Sequence, residues 1–347
     1  MQIKNREISR HTKPFIVAEM SGNHNQSLER AIEIVDAAAD SGVDAIKLQT
    51  LKPDEITLDI RSGDFLIKDK SSLWDGNSLV DLYKLAQTPW NWHAKIIERA
   101  SKRGILCFST AFDESAVDFL ETLDVPAYKI ASFENVNLQL IRKVAETGKP
   151  VIVSTGMASI GEIDDIVCTI REANCEQFVL LKCTSTYPAS PKNSNVLTIP
   201  HMRTLFDCEI GLSDHTMGCG ASIAAIACGA TLIEKHFTLC RADGGIDADF
   251  SLEPGEMKNL VIEAERAWES LGKVTYGPTE AEQSSVQFRR SLYVAKDMAI
   301  GDVFDKKNLR IVRPGLGLSP KFYDVVLGRK VKYTVKKGSM LTWDLIA

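Results

Sequence analysis

The sequence has no C-x-x-C pair, no lysine–arginine cluster and no apolar run approaching the thickness of a bilayer. Each absence closes a class of function. Its eight cysteines, among them Cys107, Cys168, Cys183, Cys208, Cys219 and Cys228, stand in apolar or small-residue surroundings. They read as reduced core residues rather than a disulfide or zinc framework. A net charge of −5 without a basic stripe gives nucleic acid no electrostatic footprint. The lack of a membrane-length run, and a polar start (MQIKNREISRH), argue against a membrane span or signal peptide and for a cytoplasmic protein. With 44% hydrophobic and 25% charged residues over 347 positions, the chain suits one large globular domain and a small one.

Histidine is also scarce, six in all, yet two stand close together in GLSDHTMGCGASIAAIACGATLIEKHF, Gly211 to Phe237. This stretch reads as strand, small-residue helix, strand, with a histidine at the carboxyl end of each strand. In a parallel βαβ unit both strand ends emerge on one side, which brings His215 and His236 together. Alternation puts Ser213 on the face of His215 and Glu234 on the face of His236. Two imidazoles beside a carboxylate make a divalent-metal site; two hydrogen-bonded core histidines are the alternative.

The same unit recurs along the chain. Phe15–Glu19, Ala45–Gln49, Leu106–Thr110, Ala127–Ala131, Val151–Thr155, Phe178–Lys182, Glu209–Ser213 and Thr231–His236 are eight short apolar runs, most separated by helical patterns. In the first of these, Leu28, Ala31, Ile32, Val35 and Ala38 share one face. Eight strands with intervening helices predict an α/β fold, a (β/α)8 TIM barrel over residues 1–272. A doubly wound sheet is the alternative, weakened because no G-x-G-x-x-G follows the first strand. The segment Leu51 to Pro89 is long for a barrel loop and reads as a lid or substrate wall. A polar linker over 273–287, marked by Gly277-Pro278, leads to a small β-rich module over 288–347 with the character of an interaction module.

In such a barrel the carboxyl ends of the strands build the active site. Those ends supply Glu19, Lys47, Gln49, Thr110, Lys129, Ser154, Ser213, His215, Glu234 and His236, and the loops beyond them add Ser132, Glu134, Ser185 and Tyr187. Singly, each is an ordinary loop hydroxyl or solvated lysine. Together, two lysines, several hydroxyls and glycine-containing turns are what a phosphate needs, so a phosphorylated substrate beside a divalent cation is expected. His24, in the turn after the first strand, is a further substrate contact. His93, on a helix, and the Trp90-Asn91-Trp92 cluster read as packing.

Nine ordered motifs then carry a resemblance: FIVAEMSGNHNQS, AIKLQT, FSTAFDESAVDFL, AYKIASFE, VIVSTGMAS, CTSTYPA, IGLSDHT, IEKHFTL and IVRPGLGLSP. In that order they resemble the sialic acid synthase family, which joins phosphoenolpyruvate to an N-acetylated sugar. The resemblance covers nearly the whole chain, the terminal module being similar to the family's antifreeze-like (SAF) domain. EMSGNHNQS, LWDGNSLVDLYKLAQTPW and HFTL-x-RADGG favour the branch whose acceptor is 2,4-diacetamido-2,4,6-trideoxy-L-altrose; the N-acetylneuraminate and legionaminate branches are the alternatives. Cys240, where the family has Asp, is a departure that bears on local loop contacts.

The resemblance implies that His215 and His236 bind Mn²⁺, or Co²⁺ or Mg²⁺. It implies that Lys47, Thr110, Lys129, Ser132, Ser154, Ser185 and Ser213 line the phosphoenolpyruvate pocket. Glu19, Glu134, Tyr187 and Asp247 would face the sugar or the reacting centre, with Gln49 beside them. It further implies a domain-swapped homodimer in which Arg313 reaches the partner's barrel. Two rival readings stand beside it: a Schiff-base aldolase using Lys129 or Lys182, and a non-catalytic sugar or anion binder.

Overall fold

The computed structural model describes residues 1–70 and 73–347. Eight parallel strands close into a barrel: β1 (Phe15–Glu19), β2 (Ala45–Thr50), β3 (Leu106–Ala111), β4 (Tyr128–Ile130), β5 (Val151–Ser154), β6 (Phe178–Cys183), β7 (Glu209–Asp214) and β8 (Leu232–His236). Closure runs through the pairing of β8 with β1, in register from Leu232↔Phe15 to His236↔Glu19. That closure rules out the doubly wound alternative. Helices α1 (Leu28–Asp40), α2 (His93–Lys102), α3 (Glu114–Thr122), α4 (Leu138–Glu146), α5 (Ile160–Glu172), α6 (Thr198–Phe206), α7 (Gly220–Ala227) and α8 (Pro254–Leu271) follow the strands in turn. Several start where a side chain takes an otherwise unpaired N–H: Ser27 from Arg30, Asp113 from Ala116, Asn137 from Leu140. On α1 the buried stripe is Ala31, Ile34, Val35 and Ala38, with Ile32 at its edge rather than within it.

Period-two alternation explains both the barrel core and the site. Inward positions near the amino ends are apolar: Phe15, Val17, Ala45, Phe108, Ile152, Val179, Leu181 and Leu232 form one buried cluster. Two or four residues further along the same faces stand Glu19, Lys47, Thr110, Lys129, Ser154, Cys183, Ser213, Glu234 and His236. The barrel is therefore sealed below and polar above. A short hairpin (Gln2–Ile3 with Arg6–Glu7), which the sequence reading missed, adds fully buried Ile3 and Ile8 to the inner cluster. Gly211 faces inward with no room for a side chain, since a Cβ there would lie 2.6 Å from Leu181 Cδ2.

The described part of the segment between β2 and α2 contains the helix Leu79–Ala86 and three shorter turns of helix. Residues 71 and 72 of it lie outside the described residues. The chain divides between Gly272 and Lys273. The second unit pairs β9 (Ser291–Val294) with β10 (Leu309–Val312) antiparallel over a core of Leu292, Val294, Met298, Phe304, Leu309, Val326, Val331 and Leu341. It is less regular than a β-rich module suggests, four isolated bridges replacing longer ladders. Residues 280–287, expected to be linker, form with Phe288 a 3₁₀ helix (Glu280–Phe288) started by a Thr279–Glu282 capping box.

Candidate active site

At the carboxyl ends of the strands lies a cavity of about 350 Å³. Charge is concentrated at its base. Lys47 Nζ is 2.6 Å from Glu19 Oε2 and donates to Thr110 Oγ1 at 2.9 Å. Glu234 Oε1 stands 3.8 Å from Lys47 Nζ and 3.6 Å from Lys129 Nζ, and accepts from Ser213 Oγ at 3.2 Å. Gln49 Nε2 donates to Glu19 Oε1 at 2.8 Å. These four charged side chains are almost entirely buried, with Lys47 shared between the two carboxylates and Lys129 paired with Glu234.

Burial and neighbouring charge set the protonation states. Burial pushes Glu19 up to about 7 despite Lys47. It pushes Glu134 up to about 7 against the pull of Lys129. Glu234 is held below the usual carboxylate range, because Lys129 and Lys47 outweigh its burial. Burial lowers Lys129, whereas Lys47 is raised because Glu19 and Glu234 overcome its burial. The base therefore holds adjacent carboxylates with opposite tendencies, an arrangement found where protons are moved.

Several buried polar atoms lining the cavity lack a hydrogen-bond partner among the described residues: Ser154 Oγ, Glu134 Oε2, Glu234 Oε2 and His236 Nδ1. An unpaired buried polar atom costs roughly 1–3 kcal/mol, so four converging on one space mark a place built for a ligand. Beside them the turn at Gly156 must stay bare. A Cβ there would collide with Oγ of both Ser185 and Ser132. Gly156 N donates to Ser132 Oγ at 3.2 Å, so this turn holds a hydroxyl that lines the cavity.

His215 and His236 meet as the βαβ geometry demands, with ring centroids 5.2 Å apart. His215 Nδ1 lies 3.0 Å from the Thr184 carbonyl, which assigns a proton to Nδ1; the Cys183 thiol overcomes burial and raises this imidazole, so Nε2 must give up a proton to hold a metal. His236 Nδ1 is 3.7 Å from Asp247 Oδ2, and Asp247 also accepts from Ser21 Oγ. Burial holds His236 well below its ordinary value, in the neutral form a metal requires. Among the described residues no three His, Cys, Asp or Glu side chains stand together as a ready-made metal cage. The donor set suits an ion whose shell is completed by substrate or water.

Of the residues expected at the site, Glu19, Lys47, Gln49, Thr110, Lys129, Ser132, Glu134, Ser154, Tyr187, Ser213, His215, His236 and Asp247 all line this cavity. Ser185 stands one layer back, with its Oγ 3.8 Å from Cys183 Sγ. Arg313 is exposed in the second unit, at a cis bond to Pro314. His24 does not line the cavity. It is fully buried, with Nε2 3.1 Å from Thr88 Oγ1 and Nδ1 accepting from Gln26 N, and so packs the loop after β1. None of the RADGG residues lines the cavity: Arg241 binds the Ser251 carbonyl and Glu256, and Asp243 pairs with Arg30 at 2.8 Å. Cys240 opens that turn. Lys182 has the opposite strand parity from Cys183 and donates to the Cys183 carbonyl and Thr184 Oγ1, outside the cavity.

Sequence reading missed Ser21 and Cys183. Cys183 follows Leu181 on the inward face, so counting by two would have placed it at the site. Its thiol is drawn down to about 7, burial being overcome by His215. The segment from Leu51 to Pro89, read as a lid or substrate wall, does line the cavity, through residues including Leu51, Ile67, Trp74, Leu82 and Tyr83 that no periodic signal singles out.

Comparison with known proteins agrees with this geometry. Residues 34–276 match the NeuB family and residues 289–347 the SAF domain. The chain is 42% identical over 341 residues to a pseudaminic acid synthase of Campylobacter jejuni, covering 98% of both chains. It is 40% identical to the pseudaminic acid synthase of Helicobacter pylori, covering 95% of this chain and 97% of that one. Among solved structures, an N-acetylneuraminic acid synthetase of Leptospira borgpetersenii in complex with citrate superposes with a TM-score of 0.73 at 34% identity, covering 83% of this chain and 95% of the other.

Proposed function

The chain belongs to the NeuB family, and from that premise we propose that it has pseudaminic acid synthase activity. It condenses phosphoenolpyruvate with 2,4-diacetamido-2,4,6-trideoxy-L-altrose and water, releasing pseudaminic acid and phosphate. The observation that carries this is the convergence of Lys47, Lys129 and the hydroxyls of Thr110, Ser132, Ser154 and Ser213 with unpaired buried polar atoms, in one closed-barrel cavity. Lys47 and Lys129 hold the phosphate and carboxylate of the enol ester, which has no free carbonyl for either amine to attack. C3 of the enol attacks the aldehyde carbon of the open-chain sugar, whose oxygen takes a proton. Water adds to the cation left at C2, and the tetrahedral carbon collapses with departure of phosphate. Glu134 Oε2, buried and unpaired, is placed to take the proton of that water and return it to the new hydroxyl.

His215 and His236 would hold a divalent ion, Mn²⁺ or else Co²⁺ or Mg²⁺, with Asp247 close by. Such an ion, when bound, polarises a carbonyl oxygen as a Lewis acid. In the same reading the molecule is a domain-swapped homodimer in the cytoplasm, and Arg313 serves the partner's cavity. The free state of all eight cysteines, and the absence among the described residues of a helix long and apolar enough to cross a membrane, support the compartment.

Phosphate release from phosphoenolpyruvate is the test, across the trideoxy sugar, its legionaminate-branch counterpart and N-acetylmannosamine. Release dependent on the trideoxy sugar, with a nine-carbon acid as co-product, is expected. Preference for another acceptor would move the chain to another branch. Borohydride inactivation with pyruvate would favour the aldolase reading.

A further inference from the structure

The cavity is divided by chemistry. Its base carries the lysines, carboxylates and hydroxyls, while its outer wall is carbon, including Leu51, Ile67, Leu82, Trp74 and Ile246. A row of rings links the two: His215 lies 4.4 Å from Tyr187, and Tyr187 5.6 Å from Trp74. An acceptor reacting at the histidine end has its far end directed along this row toward Trp74. The indole Nε1 donates to the Ile246 carbonyl at 3.2 Å, tying two distant loops together. Trp has a single N–H, so with that donor engaged the ring turns carbon toward the acceptor. Behind the pair lies a second cavity of about 590 Å³, bordered by Gly22, Asn25, Leu85 and Asp249. Trp74 and Ile246 border both cavities, so the partition is one layer of side chains thick.

We propose that Trp74 and Ile246 are the specificity-determining residues for the acceptor, forming the end wall that receives its 6-deoxy methyl group. The inference rests on the acceptor reading above. A methyl group gains by leaving water for this wall. A 6-hydroxyl would lose its water against carbon. Rejection through one such group amounts to roughly 10- to 200-fold. Because the partition is thin, removing either side chain joins the two cavities and lets water reach a 6-hydroxyl.

The experiment measures kcat/KM by phosphate release with the trideoxy sugar and with N-acetylmannosamine, for the parent, Trp74→Ala, Trp74→Phe and Ile246→Ala. The expected result is a preference for the trideoxy sugar that falls about tenfold or more in Trp74→Ala and Ile246→Ala. The loss should come through KM for the sugar, with KM for phosphoenolpyruvate unchanged. Trp74→Phe, which keeps the aromatic surface, should retain most of the preference. An unchanged ratio in Ile246→Ala and in a folded Trp74→Ala, with the parent still preferring the trideoxy sugar, overturns this inference alone. A parent that prefers N-acetylmannosamine overturns the acceptor reading and this inference with it. If Trp74→Ala does not fold, Ile246→Ala and Trp74→Phe still decide, by whether the ratio falls in the first and survives in the second.

Discussion

Glu134 stands where catalysis and stability make opposite demands. Its carboxyl titrates near 7 because burial disfavours the charged form more than Lys129 favours it. As the base for water it must be ionised, so kcat/KM should rise with pH through a limb near 7. Glu134→Gln should lose that limb and fall by roughly 10²- to 10⁴-fold. The folded-state value lies above the ordinary one, so the neutral form is the one folding favours. The stability this contributes is complete below pH of about 4.5 and is lost as pH rises through about 7. Glu134→Gln, always neutral, should therefore melt above the parent at pH of about 8, by on the order of 2 kcal/mol, with the gap closing toward pH of about 5. A variant less stable than the parent at the higher pH would contradict the assignment. The paired histidines carry a second expectation at this scale. Metal-stripped protein should be inactive and recover with Mn²⁺, Co²⁺ or Mg²⁺, while His215→Ala and His236→Ala should not recover at the same ion concentration. Full activity after stripping, checked by elemental analysis, would count against the metal.

Among the elements, β7 and β8 hold the histidines through their outward faces. Asp214 and Lys235, each next in sequence to a histidine, form an almost wholly buried ion pair at 3.0 Å behind the strands. Asp214 also accepts from Thr216 N and Ser222 Oγ, and Lys235 Nζ donates to the Thr216 carbonyl. The pair thus fastens the turn after β7 and the start of α7 to β8. Lys235→Met leaves a buried carboxylate without its cation and should cost roughly 3–5 kcal/mol, whereas replacing both partners should cost less than their sum. Thermal melting of the two single variants and the double variant decides this, and strict additivity would show that the pair is not coupled. The elements also mark how far a sequence can be read. Strand parity locates Glu19, Lys47, Lys129, Ser154, Ser213 and Glu234, because alternation on a strand is enforced by the backbone itself. Loops impose no such period. His24 therefore turns into packing against Thr88 and Trp92, while Trp74, far along an irregular segment, lines the cavity unannounced. The hairpin that plugs the barrel was invisible for a related reason, since two-residue strands are too short to show a pattern.

For the whole molecule the open matter is how two separately cored units make one enzyme. The terminal unit presents Arg313 on an exposed turn, where cis Pro314 and Gly315 follow and Gly315 N donates to the Gln287 carbonyl at 2.8 Å. Its planar fork suits acetamido or hydroxyl oxygens in a way lysine cannot match. If the unit serves the partner, mixing inactive Arg313→Ala with inactive His236→Ala should restore activity once subunits exchange, because some mixed dimers own one intact site. Confirmed exchange with no activity would refute action in trans. In the proposed reaction carbon attack and hydration share one cavity, with phosphate leaving from C2. Running the reaction in H₂¹⁸O and weighing the phosphate tests it most directly. Water added at C2 predicts acceptor-dependent phosphate free of ¹⁸O, the label residing in the sugar acid. Labelled phosphate, or release without any acceptor, would mean hydrolysis at phosphorus and would contradict it.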